Sequence, residues 1–136
     1  MSTVSQDGEH LRLLSIFHYV VGGFMAFMAC FPLIHVGIGL VFLLNPAILA
    51  KNQPQAPFPA EFFGLFFVVI GGAFVLAGWT LAAFVITAGR FLGRRKHHTF
   101  CIVVGAVSCA FFPFGTALGV FTLIVLLRPS VKELFA

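Results

Sequence analysis

Three stretches of this chain hold no Asp, Glu, Lys or Arg: 32 residues from Leu13 to Leu44, 28 from Phe62 to Gly89, and 29 from Thr99 to Leu127. A helix of about 20 residues already crosses the roughly 30 Å of a bilayer's hydrocarbon. Each stretch therefore exceeds one upright crossing. Of the 136 residues 60% are hydrophobic and 9% charged, whereas water-soluble domains carry about 25% charged residues. Eight basic and four acidic side chains cannot solvate that much apolar surface. This excludes a cytosolic globular enzyme, a disordered chain and a disulfide-rich secreted module. What remains is an all-α integral membrane protein, a single transmembrane helical domain over residues 1–136.

The first and third stretches each carry a proline near the middle, Pro32 and Pro113. Proline removes a backbone donor and clashes with the preceding turn, so each stretch is either a helical hairpin or a Pro-kinked helix. Pro113-Phe114-Gly115-Thr116 is also turn chemistry, with Gly for unusual φ and Thr as a cap. The basic residues favour two hairpins. With reversals at Pro32 and Pro113 and one middle crossing, Arg90, Arg94, Arg95, Lys96, Arg128 and Lys132 share one side, against Arg12 and Lys51. Three kinked passes split the same residues five to three. The positive-inside rule prefers the six-to-two arrangement, and the expectation is that the chain turns back at both prolines.

The connections fit this scheme. The polar loop 45–61 contains Pro46, Pro54, Pro57 and Pro59, which predict an extended second half. The basic loop 90–98, RFLGRRKHH, is the strongest orienting signal; Arg90, Arg94, Arg95 and Lys96 are expected in the cytoplasm. Ser130 and Glu133 have the spacing of a capping box, which places Val131, Leu134 and Phe135 on a short amphipathic turn at the membrane surface. Asp7 and Glu9 stand where a signal peptide has basic residues, so the mature chain is expected to begin near Met1. Cys30, Cys101 and Cys109 lie in apolar stretches without metal-ligand spacing and read as small apolar fillers.

At an offset of 83, Phe17, Val20, Val21, Gly22, Leu40, Leu43, Leu44 and Pro46 match Phe100, Val103, Val104, Gly105, Leu123, Leu126, Leu127 and Pro129. If this is a duplication, the crossing between the copies inserts them from opposite sides, as in the inverted repeats of channels and transporters.

Polar side chains inside the stretches are few: Ser15, His18, Tyr19, His35, Thr80, Thr87, Ser108, Thr116 and Thr122. No carboxylate or fixed cation lies within a span, although ion-coupled transport usually needs one. No nucleophile–base pair or metal set has a recognisable spacing. No catalytic residue and no metal site is assigned, and the chain is not expected to be an enzyme. His18 and His35 are the candidates for cofactor binding, through haem or a pigment; His10, His97 and His98 sit at water-facing ends. For helix packing, Gly22 and Ala26 with Cys30, Gly115 and Gly119, Gly89 and Gly93, and Ala73 and Ala77 all recur at four-residue spacing, which lets helices approach closely.

Three segments, His18-Tyr19-Val20-Val21-Gly22-Gly23, Pro113-Phe114-Gly115-Thr116-Ala117-Leu118-Gly119-Val120-Phe121-Thr122-Leu123 and Arg128-Pro129-Ser130-Val131-Lys132-Glu133-Leu134-Phe135, resemble a group of small uncharacterised bacterial inner-membrane proteins with several spans. The resemblance covers most of the chain and is specific mainly in its last third. It implies a multi-pass bacterial inner-membrane location and an all-helical fold, and carries over no activity. The expected role is an assembly or accessory module, or a homo-oligomer. The alternatives are a channel or small-solute facilitator built on two opposed hairpins, and a haem- or pigment-binding subunit through His18 or His35. The expected partners are the lipid bilayer and the chain itself or another membrane protein, with no nucleic acid and, in the main reading, no cofactor.

Overall fold

A computed structural model describes residues 3–52 and 57–135. Among them the chain is entirely helical: α1 (Thr3–Met28), α2 (Leu33–Leu44), α3 (Ala47–Asn52), α4 (Ala60–Arg94), α5 (His98–Ser108), α6 (Phe114–Leu126) and α7 (Pro129–Glu133). Two runs, Gln6–Leu44 and Ala60–Arg94, are long and apolar enough to cross a membrane. The helices form two compact units, one of Met1–Met25 with Leu81–Ala136 and one of Ala26–Thr80.

In the Ala26–Thr80 unit, α2 lies antiparallel to the first half of α4. A Cβ built on Gly78 would lie 2.6 Å from Ala29 Cβ, one on Gly71 3.2 Å from the Pro32 carbonyl oxygen, and one on Gly39 2.7 Å from the Gly64 oxygen. From Ala29 to Gly39 the contacts thus step steadily back along α4, from Gly78 to Gly64. The expected reversal at Pro32 does not occur. One tightened turn carries the chain past the missing proline N–H, with Cys30 N donating to Phe27 O at 3.1 Å, Phe31 N to Met28 O at 3.0 Å and Leu33 N to Cys30 O at 3.0 Å. The two residues after Leu33 are Ile34 and His35, where a tight reversal would need a small residue and a cap. The first half of the 45–61 loop forms α3; Pro54 lies outside the described residues.

In the other unit, α1 packs along the second half of α4, and α5 and α6 form an antiparallel hairpin. The reversal occupies Cys109–Pro113. Here the following residues are Gly115 and Thr116. A Cβ on Gly115 would lie 2.6 Å from the Ser108 oxygen, and Thr116 Oγ1 donates to the Cys109 oxygen at 2.7 Å. Farther down, a Cβ on Gly119 would overlap the Gly105 oxygen and lie 2.9 Å from the Cys109 nitrogen. At the base His98 Nε2 donates to the Leu126 oxygen at 2.8 Å, so His98 closes the hairpin rather than merely facing water. The two sequences matched at an offset of 83 therefore fold differently, one running on and one turning back, and an inverted repeat is not present.

The packing faces follow one rule. Leu11, Ser15, His18, Gly22, Met25, Ala29, Pro32, Val36, Gly39 and Leu43 alternate steps of four and three, and none is exposed; the same holds for Gly64, Val68, Gly71, Val75, Gly78, Ala82, Val85, Gly89 and Leu92 on α4. At about 100° per residue, steps averaging 3.5 stay on one face, while repeated steps of four drift about 40° each time. This corrects the four-residue stripes: Gly22 is buried but Ala26 is half-buried and Cys30 exposed, and Ala73 and Ala77 are exposed. Gly115 and Gly119 are both buried because the next steps are Thr122 and Leu126.

At the C-terminus the capping box does not form. Arg128 is the extended N-cap of α7 and Pro129 takes the first helical position, where its fixed φ fits and its missing N–H is no loss. Val131 is fully buried, and Leu134 and Phe135 pack on the same core as Leu11, Leu92 and Leu126. α7 is therefore docked on its unit instead of riding free on a surface.

Gly119→Leu should destabilise the protein by at least about 3 kcal/mol, the upper end for overpacking, because the added side chain meets backbone. Gly93→Leu should have a much smaller effect, since a Cβ there meets only the Ser15 side chain, with Oγ at 3.2 Å and no backbone atom. Melting both variants in one detergent tests this; equal losses would remove the close contact at Gly119.

Candidate functional site

The polar groups of the Met1–Met25/Leu81–Ala136 unit are its most informative feature. Buried among apolar neighbours are Asp7, Ser15, His18, Ser108 and Thr122. Ser108 donates to the Val104 oxygen at 2.8 Å and Thr122 to the Leu118 oxygen at 2.6 Å, each one turn back on its own helix. Thr80 and Thr87 do the same at 2.7 Å on Leu76 and Ala83. These hydroxyls satisfy themselves within their helices and leave no group free for chemistry. Ser15 instead reaches across to α4, donating to the Gly89 oxygen at 2.6 Å.

His18 is the exception. It is completely buried, with its Cβ 2.8 Å from where a Gly89 Cβ would stand, so only glycine lets α1 come this close to α4. Its Nδ1 lies 2.8 Å from the Leu14 oxygen. A carbonyl can only accept, so Nδ1 carries the hydrogen and Nε2 is a bare acceptor. Among the described residues Nε2 has no hydrogen-bond partner. A buried acceptor without a donor lowers stability by about 1–3 kcal/mol.

His35 is placed quite differently. It belongs to the Ala26–Thr80 unit, is exposed, and stacks on Phe67 with ring centroids 5.9 Å apart and planes at 16°. With Pro32, Phe66, Ile70, Gly71 and Phe74 it lines a groove of about 210 Å³, below the roughly 300–1,000 Å³ of ordinary ligand pockets. His18 is completely buried within its own unit. No group of three or more His, Cys, Asp or Glu side chains is gathered among the described residues. The buried His18 ring has no room around it for a macrocycle without moving helices.

The basic residues gather at one end of the Met1–Met25/Leu81–Ala136 unit. α4 continues through Arg90 to Arg94, so the connection to α5 shrinks to Arg95, Lys96 and His97. It closes with Arg95 N donating to Leu92 O at 3.2 Å and Lys96 N to Phe91 O at 3.0 Å, with Arg95 at φ 53. This is the helix ending that normally takes glycine at that position. Arg90, Arg94, Arg95 and Lys96 are all exposed. Arg128 Nη1 lies 3.7 Å from the buried Asp7 Oδ1, tying the start of α1 to the end of α6. The Arg95 guanidinium lies 3.1 Å from where a Gly8 Cβ would stand. Neither the Asp7 pair nor the role of His98 was visible from spacing, because both join residues far apart in sequence.

Comparison with family models, with curated proteins and with solved structures gives no match. The functional reading therefore rests on the residues themselves.

His18→Leu should leave stability unchanged or raise it by up to about 2 kcal/mol, because it removes an unsatisfied acceptor and only a bond back along the same helix. Denaturant titration of both proteins measures it. A loss above about 2 kcal/mol would show that Nε2 is satisfied in the folded protein.

Proposed function

We propose that this chain is a multi-pass protein of the bacterial inner membrane that acts as a non-enzymatic assembly or accessory module, bound to copies of itself or to another membrane protein. The observation that carries the membrane reading is how little of the long helices is covered. Only 11% of the most apolar window of Gln6–Leu44 and 17% of that of Ala60–Arg94 is buried. The core helix of a water-soluble protein hides most of such a window.

Charge supports one orientation. If Gln6–Leu44 and α4 each cross once and the α5–α6 hairpin returns to the side it left, then Arg12, Arg90, Arg94, Arg95, Lys96, Arg128 and Lys132 share one side and Lys51 alone is on the other. Seven to one is a stronger positive-inside bias than either uniform scheme gives. The hairpin legs, 11 and 13 residues, reach about 16 and 20 Å. That is too short for a crossing, and fits a hairpin dipping into the bilayer from the cytoplasmic side.

The facilitator built on two opposed hairpins loses its premise, since only Pro113 reverses the chain. The haem or pigment reading finds no room at His18 and a small groove at His35. Assembly is favoured by surfaces left over after internal packing. Gly37 and Gly72 meet nothing within 4 Å, while Leu33, Ile34, Ile38, Leu65, Val69 and Leu76 are exposed in the same unit. Small and bulky residues side by side are what a second membrane helix packs against.

With native cysteines replaced, Lys51→Cys should react with an impermeant reagent from outside the cell, and Lys96→Cys should not. Labelling of Lys96→Cys from outside would overturn the orientation. A chain that alkaline carbonate strips from membranes would overturn the membrane reading altogether.

A further inference from the structure

Between α1 and α6 runs a groove of about 410 Å³, walled by Leu13, Phe17 and Val21 on one side and by Ala117, Phe121 and Val125 on the other. From Leu13 to Val21 it extends for about 12 Å. The groove has room for an extended chain of methylenes along its length.

One end is chemically different. His10 lines it, and one turn beyond Val125 stands Arg128, held by Asp7. Glu9 and Arg12 flank His10 on α1, both exposed. The unit as a whole carries seven basic side chains against Asp7, Glu9 and Glu133, while Lys51 and Glu61 balance in the other unit. The entire net charge of +4 thus lies on the unit that owns the groove. An apolar slot in the unit that carries the whole net charge of +4 is complementary to an amphiphile with an anionic head.

We propose that the α1–α6 groove is a binding site for one anionic phospholipid, with an acyl chain along Phe17 and Phe121 and the phosphate at His10 and Arg128. The site rests on the membrane reading above: it needs the hairpin base, and so the His10 end of the groove, at the headgroup level. A lipid there would fill the space between the hairpin and α1 and make the hairpin's position depend on the lipid's charge.

The test is mass spectrometry of the full-length protein released intact from detergent, offered equal amounts of phosphatidylglycerol and phosphatidylethanolamine with the same acyl chains. The expected result is one phosphatidylglycerol retained at least tenfold more often than phosphatidylethanolamine. Ala117→Trp, which fills the groove, should lower that retention at least fivefold. Ala106→Trp, on the exposed face of α5, should not change it. His10→Ala should move the preference toward parity, and it decides the matter if Ala117→Trp does not fold. Equal retention of the two lipids by the unaltered protein would overturn the proposal, as would phosphatidylglycerol retention surviving Ala117→Trp. A change of oligomeric state with Ala117→Trp, without a change in lipid retention, would assign the groove to a second copy and also overturn it. Extraction by alkaline carbonate refutes the membrane reading and the site together; resistance to carbonate with equal lipid retention refutes the site alone.

Discussion

The fold depends on backbone touching backbone. At Gly39 and Gly64, and again at Gly119, a single added carbon would strike a carbonyl oxygen of the facing helix. In the proposed membrane setting, burial away from water cannot drive helices together, and close packing takes over that role. The bulky residues fit this pattern: Phe27, Phe66, Phe74, Phe112 and Phe121 are exposed, and the packing faces belong largely to Gly, Ala, Ser and Val. Leucines such as Leu11, Leu92 and Leu126 still fill the core, but these phenylalanines are left on the outside.

The same packing explains why two similar-looking prolines act differently. After Pro113 come Gly115, which lets α6 close on the Ser108 carbonyl, and Thr116, which satisfies the Cys109 carbonyl. After Pro32 come Ile34 and His35, and the glycines that receive α2 lie on α4 at Gly64 and Gly71. Proline marks where a helix is interrupted; the small and capping residues beside it, and on the facing helix, decide whether the chain turns.

Much of this was legible in the sequence. The all-helical class followed from uncharged length and the close approach at Gly115 and Gly119 from their spacing; the reversal falls near Pro113 as expected, but Gly115 serves close contact rather than an unusual φ and Thr116 bonds back to the Cys109 carbonyl rather than capping α6. The spacing of three and four along Leu11–Leu43 and Gly64–Leu92 was also present, but four-residue stripes such as Gly22-Ala26-Cys30 masked it. The reading of Pro32 went wrong because it used stretch length and charge balance under the assumption that both prolines behave alike. The buried, unpartnered Nε2 of His18 and the Asp7–Arg128 pair had no local signature, since each arises only when α1 meets helices from the far end of the chain.

In the proposed arrangement, two crossing runs and one short hairpin put seven basic residues at a single surface, and the tip of the hairpin ends inside the bilayer. The tip is the most direct place to test this. Phe112 is 88% exposed there, so Phe112→Cys, in a chain without its native cysteines, samples whatever surrounds the turn. Applied to intact cells and to inverted membrane vesicles, an impermeant maleimide should leave this cysteine unlabelled from both sides, because about 16–20 Å of leg ends in hydrocarbon. Labelling from the outside of intact cells would mean that the legs pass through the membrane, and would contradict the half-depth hairpin.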